Sequence, residues 1–161
     1  METENKIYED INEISSFLNT GNICFYDSYI TQGFSVEIDG IKYPSVRHAV
    51  LSYKTESVEE RGRIAAMIFP SDLKEYEMLL PAPKYWKTDF VLKTFEEVTF
   101  RKFMENPVFA EKLDATGNKY LMDKRDKSVG EYDIAELIKI ENYDGIVLMR
   151  TREKLRKQKT T

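Results

Sequence analysis

The sequence predicts an α+β fold, a predominantly helical single domain with a small antiparallel β-hairpin. Three observations carry this. Apolar and polar residues alternate on either side of Asp39-Gly40, as in two short strands joined by a two-residue turn. Most of the remaining chain breaks into segments with helical apolar spacing, bounded by cap residues, prolines and glycines. The length, 161 residues with 42% apolar side chains, suits one core.

Ile7, Ile11, Ile14, Phe17 and Leu18 recur at helical spacing until Asn19-Thr20-Gly21 stops them, so residues 1–20 read as a helical leading arm. Phe34, Val36 and Ile38 alternate with Ser35 and Glu37; Ile41 and Tyr43 resume beyond the turn. Pro44 ends the second strand, and Ser45 can cap a helix over Val46 to Lys54. A second helix is expected from Val58 to Ile68, and a third from the start signal Pro70-Ser71-Asp72 to Leu80. Pro81 and Pro83 force an irregular link. Lys87 to Met104 is the longest expected helix, with Phe90, Val91, Thr94, Phe95, Val98 and Phe103 on its buried face. Asn106-Pro107 restarts a short helix to Ala115, Thr116-Gly117-Asn118 closes it, and Tyr120 to Met122 reads as a strand. The last helix includes Ile146 to Leu155, and residues 156–161 read as a basic tail after a main domain of 21–155.

Composition excludes several classes of function. Twenty-four basic against 28 acidic side chains, a net charge of −4, argue against a uniformly cationic nucleic-acid coat but leave room for a local patch. Cys24 is the only cysteine, so neither an internal disulfide nor a cysteine-based zinc site within one chain is possible. No apolar run approaches ~20 residues, and Met1 to Lys6 lacks the order of a secretory signal. The expected compartment is the cytoplasm, with no membrane contact.

His48 is the sole histidine and Trp86 the sole tryptophan. A lone helical histidine reads either as a hydrogen-bonded structural residue or as part of a site, and Trp86 either as a core plug or as a stacking platform. Lys54 and Asp126 read by themselves as solvated charges. One histidine offers no ligand set for a catalytic zinc. Gly-x-Ser-x-Gly, Gly-x-Gly-x-x-Gly and the P-loop are all missing. No cofactor and no metal are expected.

Read in order, several blocks resemble one family. These are Ile38-Asp39-Gly40-Ile41-Lys42-Tyr43-Pro44-Ser45-Val46-Arg47-His48, then Ser52-Tyr53-Lys54, Trp86, and Arg101-Lys102-Phe103-Met104-Glu105-Asn106-Pro107. Thr116-Gly117-Asn118-Lys119-Tyr120-Leu121-Met122-Asp123, Asp126-Lys127-Ser128-Val129-Gly130 and Asn142-Tyr143-Asp144-Gly145-Ile146-Val147-Leu148-Met149 follow. Together they resemble the NADAR (YbiA-like) family, some of whose members cleave N-glycosidic bonds in riboflavin intermediates and others of which remove ADP-ribose from guanine. The likeness spans about Ile23 to Leu155. Arg47 stands where the family has a glutamate and Val129 where it has a tryptophan. Its Ser-Asn-Phe signature is unclear around Phe25-Tyr26-Asp27, and the glycine-rich run before Asn142 is missing.

The resemblance implies hydrolysis of a ribose C1–N bond, with an ADP-ribosylated base or nucleic acid as substrate or, alternatively, a free nucleotide such as a riboflavin-pathway intermediate. It makes Lys54 and Asp126 the catalytic candidates and Arg47, His48, Trp86, Tyr26, Gly130 and Asn142 the substrate-binding ones. A lysine amine can attack C1 of a ring-opened ribose and form a Schiff base, and a carboxylate can activate water. Arg47 suits a diphosphate, a role that equally fits a binding module without turnover. Its presence in place of glutamate moves acid–base work to Asp126 or Asp123, or removes it. The basic stretch Arg150 to Lys159 reads either as a solvated helix end or as a nucleic-acid backbone contact.

Overall fold

The structure is a computed structural model that describes residues 23–26, 34–123 and 142–160. The expected arm of residues 1–20 and the candidates Asp126 and Gly130 lie outside them. The chain forms two compact units, Gln32–Pro107 and a second made of Met1–Thr31 with Val108–Thr161.

The Gln32–Pro107 unit begins with the expected hairpin. Strands β2 (Val36–Ile38) and β3 (Ile41–Tyr43) pair antiparallel, with Val36 opposite Tyr43 and Ile38 opposite Ile41. Both turn residues are left-handed, Asp39 at φ 52° and Gly40 at φ 79°, which the twist of a two-residue hairpin requires and which Asp and Gly tolerate best. Alternation sends Val36, Ile38 and Tyr43 into the core and leaves Glu37 and Lys42 outside.

Four helices pack around this hairpin. Ser45 starts α1 (Val46–Ser52) by accepting a bond from the His48 amide, and Ser57 starts α2 (Val58–Ala66) by the same means at Glu60; each cap contributes about 1 kcal/mol. Helix α3 (Pro70–Leu79) opens on proline, whose missing N–H would have no partner there, and α4 (Thr88–Glu105) is the longest of the unit. Ala49, Val50, Leu51, Ile64, Leu73, Leu80 and Val98 close a core with the hairpin. The last turn of α4 is tied to the hairpin: the Glu37 amide donates to the Glu105 carboxylate (3.0 Å) and the Asn106 amide to the Ser35 carbonyl (3.1 Å). α1 and α2 stop at Ser52 and Ala66, two residues short of the expected ends.

The second unit contains a strand that the sequence reading passes over. Ile23–Tyr26 forms β1, parallel to β4 (Tyr120–Asp123), with Ile23 opposite Tyr120 and Tyr26 opposite Asp123. Helix α5 (Pro107–Asp114) precedes β4, and α6 (Tyr143–Lys159) packs on it. Tyr120, Leu121, Met122, Val147, Leu148 and Met149 are fully buried. Helix α6 runs to Lys159, so the expected tail from Arg156 is in fact its last turn. The reason is in the side chains. Arg156 donates to the Asp114 carboxylate (2.7 Å), the Asn118 side-chain oxygen (3.0 Å) and the Gly117 carbonyl (2.7 Å). One turn earlier the buried Arg152 donates to the Thr116 hydroxyl (2.8 Å) and the Lys119 carbonyl (2.9 Å). Two arginines thus staple the whole α5–β4 turn to α6.

Candidate functional site

Of the residues singled out in the sequence, the fold brings Lys54 and Trp86 together. Lys54 follows the C-terminal end of α1, in a turn whose amides bond back to Val50, Leu51 and Ser52. Its Nζ lies 5.8 Å from the centre of the Trp86 ring, within range of a cation–π attraction. The same amine donates to the Glu77 carbonyl at 2.6 Å. Glu77 belongs to the last turn of α3, where carbonyls lack helical partners and the helix dipole favours a cation.

Trp86 is half-buried. One side packs on the core, and its ring tilts against Phe90 at a centroid distance of 5.9 Å. The indole therefore combines the two roles the sequence left open, part core plug and part exposed wall. Tyr85, more exposed, tilts against Phe90 at a centroid distance of 4.9 Å and donates its hydroxyl to the Tyr53 carbonyl at 2.7 Å. The Tyr53 phenol is itself held above its ordinary pKa, first by burial and then by the Asp39 carboxylate.

His48 is committed elsewhere. Its Nε2 faces the Met67 carbonyl at 2.9 Å, and since a carbonyl only accepts, Nε2 carries the proton. Nδ1 lies 2.6 Å from the Ser45 hydroxyl, which donates to it in the neutral ring. Both ring nitrogens thus serve the scaffold, joining the start of α1 to the chain between α2 and α3. Arg47, its neighbour, is exposed and has no hydrogen-bond or ion-pair partner among the described residues.

In the other unit Asn142 is buried before α6, and its side-chain amide donates to the Leu121 carbonyl at 2.7 Å. Gly145 passes so close to that carbonyl and to the Asn142 amide that a Cβ there would overlap both. Tyr26 ends β1 in register with Asp123. Among the described residues no three His, Cys, Asp or Glu side chains cluster as metal ligands, and no helix is long and apolar enough to cross a membrane.

Neither a family model nor a curated protein matches the sequence. Comparison of structures does find a match: the NMR structure of the E. coli protein YbiA superposes with a TM-score of 0.57 over 79% of this chain and 76% of that one. The fold is that of YbiA. At 19% identity the likeness to YbiA speaks for the fold, and it agrees with the α+β architecture expected from the sequence. Tyr85, Glu77 and Arg61, which surround Lys54, were not singled out in the sequence. Tyr85 has a weak signal in its place beside the only tryptophan, whereas Glu77 acts through its main chain, which leaves no mark on residue type.

Proposed function

We propose that the chain is a divergent NADAR-type N-glycosidase that hydrolyses the ribose C1–N bond of ADP-ribosylated bases, with guanine in DNA or RNA as the leaving base. The observation that carries this is the pairing of Lys54 with the half-buried Trp86, an amine beside a flat apolar wall. In the ring-opened substrate, C1 is held as an imine to the base nitrogen. The Lys54 ammonium passes a proton to the Asp126 carboxylate, the freed amine adds to C1, and the C1–N bond to the base breaks as that proton goes to the leaving base nitrogen. Lys54 is then joined to C1 as a Schiff base. Water, activated by the Asp126 carboxylate, adds to that C=N bond and releases free ADP-ribose and the lysine amine. The net reaction consumes one water and yields base and sugar.

In this reading Trp86 walls the ribose or stacks on the base, and the exposed Arg47 guanidinium takes the diphosphate. His48 acts through the scaffold, since both its nitrogens are held by protein groups. Tyr26 and Gly130 remain as substrate contacts proposed from the family resemblance, and Asn142, buried with its amide on the Leu121 carbonyl, acts through the scaffold.

The test is base release from ADP-ribosylated DNA. The parent should release base, Lys54→Ala and Asp126→Ala should fall to the uncatalysed rate, and borohydride should trap ADP-ribose on Lys54 of the parent. Arg47 favours a second reading, because a guanidinium binds phosphate but cannot act as a base near neutral pH. Tight ADP-ribose binding with no turnover by the parent would make the chain a recognition module and end the enzyme reading.

A further inference from the structure

The turn that carries Lys54 is clamped from outside by two side chains. The Arg61 Nε–H, on α2, is shared between the carbonyls of Ser52 (3.1 Å) and Thr55 (2.9 Å), which bracket the turn. Between them, the Tyr53 carbonyl accepts from the Tyr85 hydroxyl at 2.7 Å. Three carbonyls at the end of α1 thus find donors from two different segments. Of these, among the described residues, only the Ser52 carbonyl also takes a main-chain bond, a long one from the Thr55 amide (3.4 Å), and leaving the others to water would let the turn fray. Tyr85 immediately precedes Trp86, so its bond ties the Lys54 turn to the chain that carries the indole.

We propose that Arg61 and Tyr85 are positioning residues that set the Lys54 amine against Trp86. Its catalytic consequence rests on the N-glycosidase reading, but the geometry does not. Arg61 holds the turn from the α2 side and its guanidinium reaches towards Asp39, 3.8 Å away. Tyr85 holds it from the Trp86 side and is itself braced by Phe90. Neither side chain has to touch substrate. Each acts on the main chain on either side of Lys54, which leaves the amine little but its own side-chain torsions with which to miss C1.

Because Trp86 is the only tryptophan, its emission, excited selectively, reads the pair directly in the full-length protein. Lys54→Met sets the spectrum of an indole without its ammonium neighbour. Tyr85→Phe, which keeps the ring on Phe90 and loses one hydroxyl, and Arg61→Lys, which keeps the charge and loses the Nε–H, should each move the parental spectrum at least halfway towards it. In the Lys54→Met background the same changes should do nothing further. A purely structural role would lower the melting temperature and leave the emission of the folded protein where it was, and that result would overturn the proposal. So would an unchanged spectrum in Lys54→Met. If the parent releases base, Tyr85→Phe should lower kcat about 10- to 100-fold with KM little altered. Absence of turnover in the parent would defeat the proposed activity, while the emission series would still decide the clamp.

Discussion

Polar side chains brace main-chain carbonyls in both units, but over different reaches. In the Gln32–Pro107 unit the clamps around Lys54 join residues separated by 6 to 32 positions. In the other unit Arg152 and Arg156 reach back 33 to 42 positions, and β1 pairs with a strand that follows residues 32–107 in the sequence. The contiguous unit holds a lysine and a tryptophan side by side, both half-buried. The discontinuous one buries Arg150 and Arg152. Within the basic stretch from Arg150 to Lys159, Arg150 and Arg152 are buried and Arg156 is bonded to the α5–β4 turn. Of its six cations, only Lys154, Lys157 and Lys159 are exposed.

The largest effect should come from Gly145→Ala, which tests whether the discontinuous unit depends on close backbone approach. A methyl group there meets the Leu121 carbonyl and the Asn142 side chain, so β4 and α6 must separate at a cost of about 3 kcal/mol. Amide exchange of β4 and the start of α6 should accelerate strongly. Parental protection of those amides would show that the contact is slack.

The contiguous unit offers the opposite response. Lys102 is almost fully buried, with its amine 4.3 Å above the Phe34 ring centre, and burial pushes its pKa down to about 8 from 10.5. Between those two values the folded protein binds fewer protons than the unfolded one, so stability rises with pH across that window and the full penalty is present below it. Lys102→Met should stabilise the unit by about 2 kcal/mol at neutral pH and abolish the rise. Denaturant titrations at pH 7 and pH 10 would measure both, and a less stable variant would mean that the charge is net favourable where it lies.

Arg156→Gln should have the smallest effect, under about 1 kcal/mol, because its ion pair with Asp114 is substantially exposed. The Arg156 hydrogen bond holds the Asp114 carboxyl below its ordinary pKa of 3.8. The stability it supplies is present above that value and is lost as pH falls through the lowered one. The variant should therefore unfold in acid with a shallower pH dependence, read by circular dichroism. An acid transition identical to the parent's would remove Asp114 from the staple.

The elements most legible in the sequence are those specified by neighbouring residues. Asp39-Gly40 dictates a hairpin by its backbone preferences, Ser45 dictates a helix start, and Pro70 and Pro107 mark two more. β1 leaves no such mark, because Ile23-Cys24-Phe25-Tyr26 shows no alternation and because its partner β4 is a distant strand that local patterning cannot point to. The end of α6 is hidden for a similar reason: Arg156 and Lys157 look like a tail until Asp114, Asn118 and Gly117 supply acceptors for Arg156. At the candidate site, Lys54 and Trp86 could be named from the resemblance, but their juxtaposition depends on main-chain acceptors that residue type does not reveal. His48 shows the same limit, since its partners are the Ser45 side chain and the Met67 carbonyl.

The pairing of β1 with β4 also bears on synthesis. Residues 23–26 leave the ribosome long before residues 120–123, and the Gln32–Pro107 unit, contiguous in the chain, can complete its core in between. Throughout that interval the nascent β1 segment lacks the partner it will have in the finished fold, and an unpaired strand edge invites association with other chains. Slowing translation between the two strands would prolong that exposure, so the yield of folded protein should depend on elongation rate more through β1 than through any element of the contiguous unit.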